Sequence, residues 1–291
     1  MNGFLLLDKP SGISSSSCVY SLRKLLNEKK IGHCGTLDPL ATGILPVCIG
    51  EGTKFSNFVL NHKKEYRVTL QFGVETDSGD ISGQVIHRED CLFSEKELKT
   101  SLRKYKGFQN QLPPMYSALK VKGRPSYYWV RKGIYFRRKL RNIEISRIHL
   151  LSFKKNKAII QVSCSKGTYI RSLVESIGRD LKSAATVSEL RRTKLGTFRD
   201  KDLFKLEGSN KFSCEKAILN CDSLLKHLPK VTLDSFEIKK VRNGQQLDYN
   251  AGQEKEGIVR IYEEKGSFIG LGNIDSSMKV SPMRLLSAQV N

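Results

Sequence analysis

Gly32-His33-Cys34-Gly35-Thr36-Leu37-Asp38-Pro39-Leu40-Ala41-Thr42-Gly43 is a glycine-punctuated loop with a carboxylate at its centre. Pro39 disfavours a helical Asp38 and keeps the backbone extended there, while Gly35 and Gly43 allow sharp bends on either side. The carboxylate is thereby carried on a stiff, kinked segment, although an Asp-Pro turn between glycines is by itself usually only a turn. Upstream, Phe4 to Leu7 reads as a buried strand closed by Asp8-Lys9-Pro10-Ser11-Gly12. Serines 14 to 17 then offer caps for a helix with Cys18, Val19, Leu22, Leu25 and Leu26 at helical spacing. Downstream, the apolar run Ile44 to Ile49 leads to a helix with Phe55, Phe58 and Val59 on one face. Tyr66, Val68, Leu70 and Phe72 alternate with Arg67, Thr69 and Gln71, the period-two pattern of a strand with one face buried.

The surrounding composition sets the class of partner. The 291 residues include 50 Lys and Arg against 29 Asp and Glu, a formal charge of +21. Such an excess answers a polyanion, either nucleic acid or an anionic surface. No apolar run approaches the roughly 18 residues of a membrane span, so the sequence predicts a soluble, untargeted chain. Seven scattered cysteines with no C-x-x-C pair, and no group of them at metal-ligand spacing with the five histidines, indicate neither a disulfide framework nor a zinc site. The expected compartment is reducing cytoplasm.

Between Pro113 and Arg141 the regular patterning stops, and aromatics such as Tyr116, Tyr127, Tyr128 and Trp129 interleave with bases such as Lys120, Arg124 and Arg131. That mixture suits a surface that holds RNA by phosphate contacts and base stacking. Ala158 to Cys164 reads as a strand entering a helix with Ile170, Leu173, Val174, Ile177 and Leu181 on its buried face. Arg171 falls in the first turn of that helix, against the macrodipole, and so asks for a carboxylate or phosphate partner. Asp77 and Asp80 read as turn residues. Past Pro229, short strands at Val231 to Leu233, Ile258 to Tyr262, Phe268 to Leu271 and Val280 to Leu285 suggest a small β-rich terminal domain.

The loop around Asp38 resembles the catalytic motif of the TruB family of bacterial tRNA pseudouridine synthases. Further stretches agree in family order: Leu5 to Gly12, Thr53 to Ser56, Lys64 to Val68, Pro114 to Lys120, Cys164 to Arg171, Leu190 to Arg192 and Phe268 to Gly272. The resemblance implies a mixed α/β (α+β) fold. A pseudouridine synthase catalytic domain with a long, mostly antiparallel sheet would span residues 1–228, with 113–141 as an RNA-contacting insertion. A small β-rich PUA-like RNA-binding domain would span 229–291. It implies isomerisation of uridine to pseudouridine at position 55 of the tRNA T loop, with base flipping and no metal or cofactor.

Residue by residue, the resemblance makes Asp38 the required carboxylate, Arg171 its partner, and Tyr66 the ring that stacks on the flipped base. Tyr169 and Leu190 become walls of the uracil pocket, His33 occupies space beside the flipped nucleotide, and Lys9 and Lys54 are basic residues near the site. Cys34 stands where many relatives have Thr. The implied partner is the tRNA T stem-loop, bound by a monomer with no membrane, guide RNA or obligatory protein partner. A catalytically inactive tRNA-binding chaperone of the same fold would have replaced Asp38 or Arg171, and both are present. A guide-dependent relative would not need the segment Pro113 to Ile134, and nothing resembles the motifs of a uracil-excising glycosylase.

Overall fold

A computed structural model describes residues 1–201, 203–249 and 256–287. The chain opens with strand β1 (Gly3–Lys9), whose side chains are buried almost throughout, and helix α1 (Ser15–Leu26). The Ser14 side chain accepts the Ser17 backbone N–H to cap α1, and Asn27 ends it in the left-handed region at φ 51°. Strand β2 (Ile31–His33), the Asp38 loop and strand β3 (Thr42–Ile49) follow. The helix expected around Phe55 is a 3-10 turn over Gly50–Phe55 that continues as the short helix α2 (Ser56–Leu60). Phe55 and Val59 are buried and Phe58 half-buried.

Strand β4 (Lys64–Phe72) alternates as its sequence requires, with Lys64, Tyr66, Val68, Leu70 and Phe72 all inward. A hairpin of β5 (Val74–Thr76) and β6 (Val85–Arg88) precedes helix α3 (Glu95–Lys104), which a Ser94/Glu97 capping box starts. Strand β7 (Gly107–Gln111) leads into the basic, aromatic segment. That segment holds only a two-residue ladder of β8 (Lys120–Val121) with β9 (Arg124–Pro125) and one helical turn, α4 (Ser126–Val130). The long hairpin of β10 (Arg141–Lys154) and β11 (Lys157–Cys164) returns to the sheet. Helix α5 (Ile170–Asp180), β12 (Ala185–Leu195), β13 (Phe198–Arg199) and helix α6 (Lys211–Lys216) follow.

Nine of these strands form one sheet in the order β1-β3-β12-β4-β11-β10-β7, with β2 on β3 and β13 on β12, while β5 with β6 and β8 with β9 form separate two-stranded ladders. Every pairing is antiparallel except one: β12 meets β3 in parallel over only Arg191↔Thr42 and Arg192↔Gly43. A parallel pair needs a crossover, and here it is most of the chain between residues 42 and 191. The remaining strands, β14 (Lys230–Leu233), β15 (Leu247–Asp248), β16 (Gly257–Glu263), β17 (Phe268–Ile274) and β18 (Lys279–Leu285), with helix α7 (Ser235–Arg242), make a second sheet ordered β14-β16-β17-β18-β15.

The second sheet has its own core, around Val231, Val259 and Val280, but it also shares one with the first. Leu271 packs in a cluster with Phe4, Cys34, Ile44, Cys48 and Phe55, and the Phe55 and Phe268 rings lie 5.5 Å apart. No helix among the described residues is long and apolar enough to cross a membrane.

Candidate active site

The glycine bends on either side of Asp38 are realised: Gly35 has φ 108° and Gly43 φ 94°. Lys9, fully buried beneath the loop, donates from Nζ to the carbonyls of Pro10, Pro39 and Ala41 at 2.8, 3.0 and 2.7 Å. Ser15 Oγ donates to the Leu37 carbonyl and accepts the Leu37 N–H, both at 2.9 Å. The segment that carries Asp38 is therefore fastened by side chains from β1 and α1 before any ligand arrives.

Asp38 lines a cavity of about 870 Å³, together with Tyr66, Tyr169, Arg171 and Leu190. Arg171 Nη2 donates to Asp38 Oδ1 at 3.1 Å, and Nε lies 2.9 Å from Oδ2, a close charge contact not aligned as a hydrogen bond. This is the carboxylate partner that the helix position of Arg171 requires. Nη1 also donates to the Ser78 carbonyl at 2.7 Å and Nη2 to the Tyr116 carbonyl at 2.8 Å. Burial pushes the Asp38 carboxyl above its ordinary range, and the Arg171 charge pulls it back. About a third of the Asp38 side chain still faces the cavity, whereas Arg171 is only 6% exposed. The carboxylate is thus reachable and its cationic partner is not.

Asp80 is a turn residue that also belongs to this network. It is buried, lies 4.0 Å from Arg171 Nη1 and tends to raise Asp38. Its local turn geometry, with Asp80 Oδ1 accepting the Ser82 N–H, gives no sign of a contact 91 residues away along the chain.

Tyr66 is 8% exposed on β4, directly across the sheet from Arg192. Burial raises its phenol and the Arg192 charge opposes that rise. Tyr169 precedes α5, where Gln111 bonds both its N–H and its carbonyl, at 2.7 and 2.9 Å. His33, at the end of β2, is not among the residues lining the cavity; its Nδ1 is buried and unpartnered among the described residues, and burial and Arg192 lower its imidazole. Lys54 is elsewhere: its Nζ donates to the Leu285 carbonyl at 2.9 Å and pairs with Glu51, so it bridges to the second sheet. The family resemblance places Lys54 near the site, but it does not line this cavity, and from the 3-10 turn at Gly50–Phe55 its side chain reaches the second sheet. Cys34 is fully buried.

Four further cations line the cavity and were not among the expected site residues: Lys64, Arg192, Arg141 and Lys166. Lys64 is the first inward residue of β4, and Arg192 continues the inward alternation from Leu190 on β12. Both were legible in the period-two pattern, which marks a cation on a buried face as unusual.

Residues 23–170 match the family described as TruB family pseudouridylate synthase (N terminal domain), and 229–286 match pseudouridine synthase II TruB, C-terminal. The chain is 41% identical over 99% of its length to a tRNA pseudouridine synthase B of Chromobacterium violaceum, spanning 96% of that protein. Against the tRNA pseudouridine synthase B of Neisseria meningitidis serogroup B it is 38% identical, with 99% and 95% covered. A solved Cbf5-Nop10-Gar1 complex contains a chain 26% identical, with a TM-score of 0.73 and coverage of 99% of this chain and 84% of that one. A chain in an H/ACA RNP bound to a substrate RNA containing 2'-deoxyuridine gives 0.75 at 24% identity, covering 99% and 86%, a likeness of fold.

Proposed function

The chain belongs to the TruB family of pseudouridylate synthases, and from that membership we propose that it isomerises uridine to pseudouridine in tRNA, at position 55 of the T loop. The observation that carries the reading is the Asp38–Arg171 pair facing Tyr66 across a single cavity. In the reaction the N1–C1′ bond breaks, the base turns, C5 bonds to C1′, and the C5 proton leaves while N1 gains one. Electrons and atoms balance without a redox partner. Asp38 is the carboxylate that acts at the sugar or the base, in its ionised form. Arg171 holds it in one orientation with two contacts from a planar fork. Tyr66 stacks on the flipped uracil, with its hydroxyl as the group nearest in kind to a proton acceptor for C5–H. Tyr169 and Leu190 wall the pocket, and His33 occupies space beside the flipped nucleotide. Lys9 acts through the loop it fastens.

The basic, aromatic insertion at 113–141 and a PUA-like domain at 229–291 supply the RNA contacts beyond the catalytic domain of 1–228. The insertion is the reason to assign action without guide RNA, and the free, scattered cysteines fit a monomer working in reducing cytoplasm. The inactive-chaperone alternative is disfavoured by the intact Asp38–Arg171 pair.

The test is Asp38→Asn on a tRNA transcript. We expect RNA affinity within a few fold of wild type, since binding is spread over many phosphates, and no pseudouridine at position 55. Turnover above about one per cent of wild type would overturn the assignment of Asp38.

A further inference from the structure

Among the described residues Asp38 is the sole anionic one lining the cavity, whereas Lys64, Arg141, Lys166, Arg171 and Arg192 all line it. Arg171 is matched by Asp38. The other four stand away from that pair, and two of them are buried: Lys64 is 7% exposed and Arg192 1%. Lys64 Nζ donates to the carbonyls of Leu60 and His62 at 2.6 and 2.7 Å, which uses two of its three N–H groups. Arg192 donates from Nε to the Ile44 carbonyl at 2.7 Å and from Nη2 to the Gly35 carbonyl at 3.1 Å. Among the described residues neither cation has a carboxylate within ion-pair distance. The groups that face Lys64 are Arg192 from β12, Cys164 from β11, Lys166 from the loop after β11 and Cys34 from the catalytic loop, with Tyr66 beside it on its own strand.

Fastening the end of α2 accounts for two carbonyl contacts. It does not account for a second buried cation opposite the first. Desolvating two like charges side by side is costly unless an anion completes them. The cavity floor at Lys64 is continuous with the Asp38–Tyr66 end, and Lys166 and Arg141 extend the positive wall outward, Lys166 being held by Asn61 Oδ1 at 2.7 Å.

We propose that Lys64, backed by Arg192, forms an anion subsite that takes a backbone phosphate of the RNA next to the flipped uridine. This rests on the reaction proposed above. Burial and the neighbouring Arg192 charge lower the Lys64 ammonium to about 8, so in the free protein it loses its proton within the working pH range. The sign follows directly: the cation that binds phosphate is present below pH 8 and fades above it, and bound phosphate draws the proton back.

The experiment measures KM, kcat and filter-binding affinity for a tRNA transcript between pH 7.0 and 8.8 in wild type, Lys64→Gln and Lys64→Arg. In wild type, KM rises severalfold as pH passes through 8. Lys64→Gln should raise KM about tenfold or more at pH 7, remove its pH dependence, and flatten the slope of log affinity against log salt by about 0.7 to 0.9. Lys64→Arg should hold KM low and flat over the same range, because a guanidinium does not titrate there. A wild-type KM and salt slope in Lys64→Gln would overturn the subsite. If Lys64→Gln fails to fold, by circular dichroism, Lys64→Arg decides: a wild-type rise in KM with pH would overturn it. The two readings fail separately. Wild-type protein that makes no pseudouridine defeats the proposed reaction, whereas RNA affinity without the Lys64-dependent pH profile defeats the subsite.

Discussion

Arg171 donates to the carbonyls of Ser78 and Tyr116 as well as to Asp38, so its guanidinium plane is fixed by backbone on two sides. A lysine there would retain the charge and lose the fork. We expect Arg171→Lys to lower kcat by about 10² or more with RNA affinity little changed, as single-turnover assays would show, because small misplacements of a reacting group are costly. Arg171→Met should also move the acid limb of the kcat–pH profile upward. Burial alone raises the Asp38 carboxyl, and without the opposing cation more of it is protonated at a given pH. Asp38 and Arg171 were legible as individuals, one on a proline-stiffened loop and one on the wrong end of a helix. Their contact was expected from the family resemblance and from no local pattern, since 133 positions separate them. Lys54, expected near the site from the family resemblance alone, instead reaches the Leu285 carbonyl of the second sheet, a direction that no local pattern in its 3-10 turn signals.

At the scale of elements, β4 and α5 were legible because burial on one face writes a period into the sequence. The 113–141 segment carries no such period, and its ladder and helical turn are each too short to leave one. The junction of β3 and β12 was illegible for another reason: two residue pairs of parallel ladder have no local signature. Gly43 sits in that junction at φ 94°, where an added Cβ would run into the Arg192 carbonyl oxygen. Gly43→Ala meets both backbone strain and a backbone clash. We expect a loss of roughly 2–4 kcal/mol in denaturant unfolding, with a fall in kcat because Arg192 also holds the Gly35 carbonyl.

At the scale of the molecule, the two sheets are joined by apolar contact. Leu271 is fully buried in a cluster with Phe4 and Ile44 from the first sheet and Phe55 from the 3-10 turn beside it. Leu271→Ala should cost about 2–5 kcal/mol, and calorimetry should still show one cooperative transition, since the cavity opens in a core that both sheets own. Separate melting of the β14–β18 sheet would contradict this. Short β segments near the end of the sequence were legible as a small unit. Their docking was not, because Phe4, Phe55 and Leu271 are brought together only by the finished topology.

The two-residue parallel seam between β3 and β12 also fixes when the site comes into being. Arg192 and Ile44, bonded across it, are 148 positions apart, and at about 5–20 residues per second a ribosome takes roughly 7 to 30 s to synthesise what lies between. Throughout that interval the Asp38 loop is already made, yet Arg171, Leu190 and Arg192 are not all available to it. Closing so long a span is the entropically slow event in such a fold. The enzyme is therefore born inert and acquires its chemistry in one late step, so a nascent or truncated chain ending before residue 192 has an exposed carboxylate and no site around it.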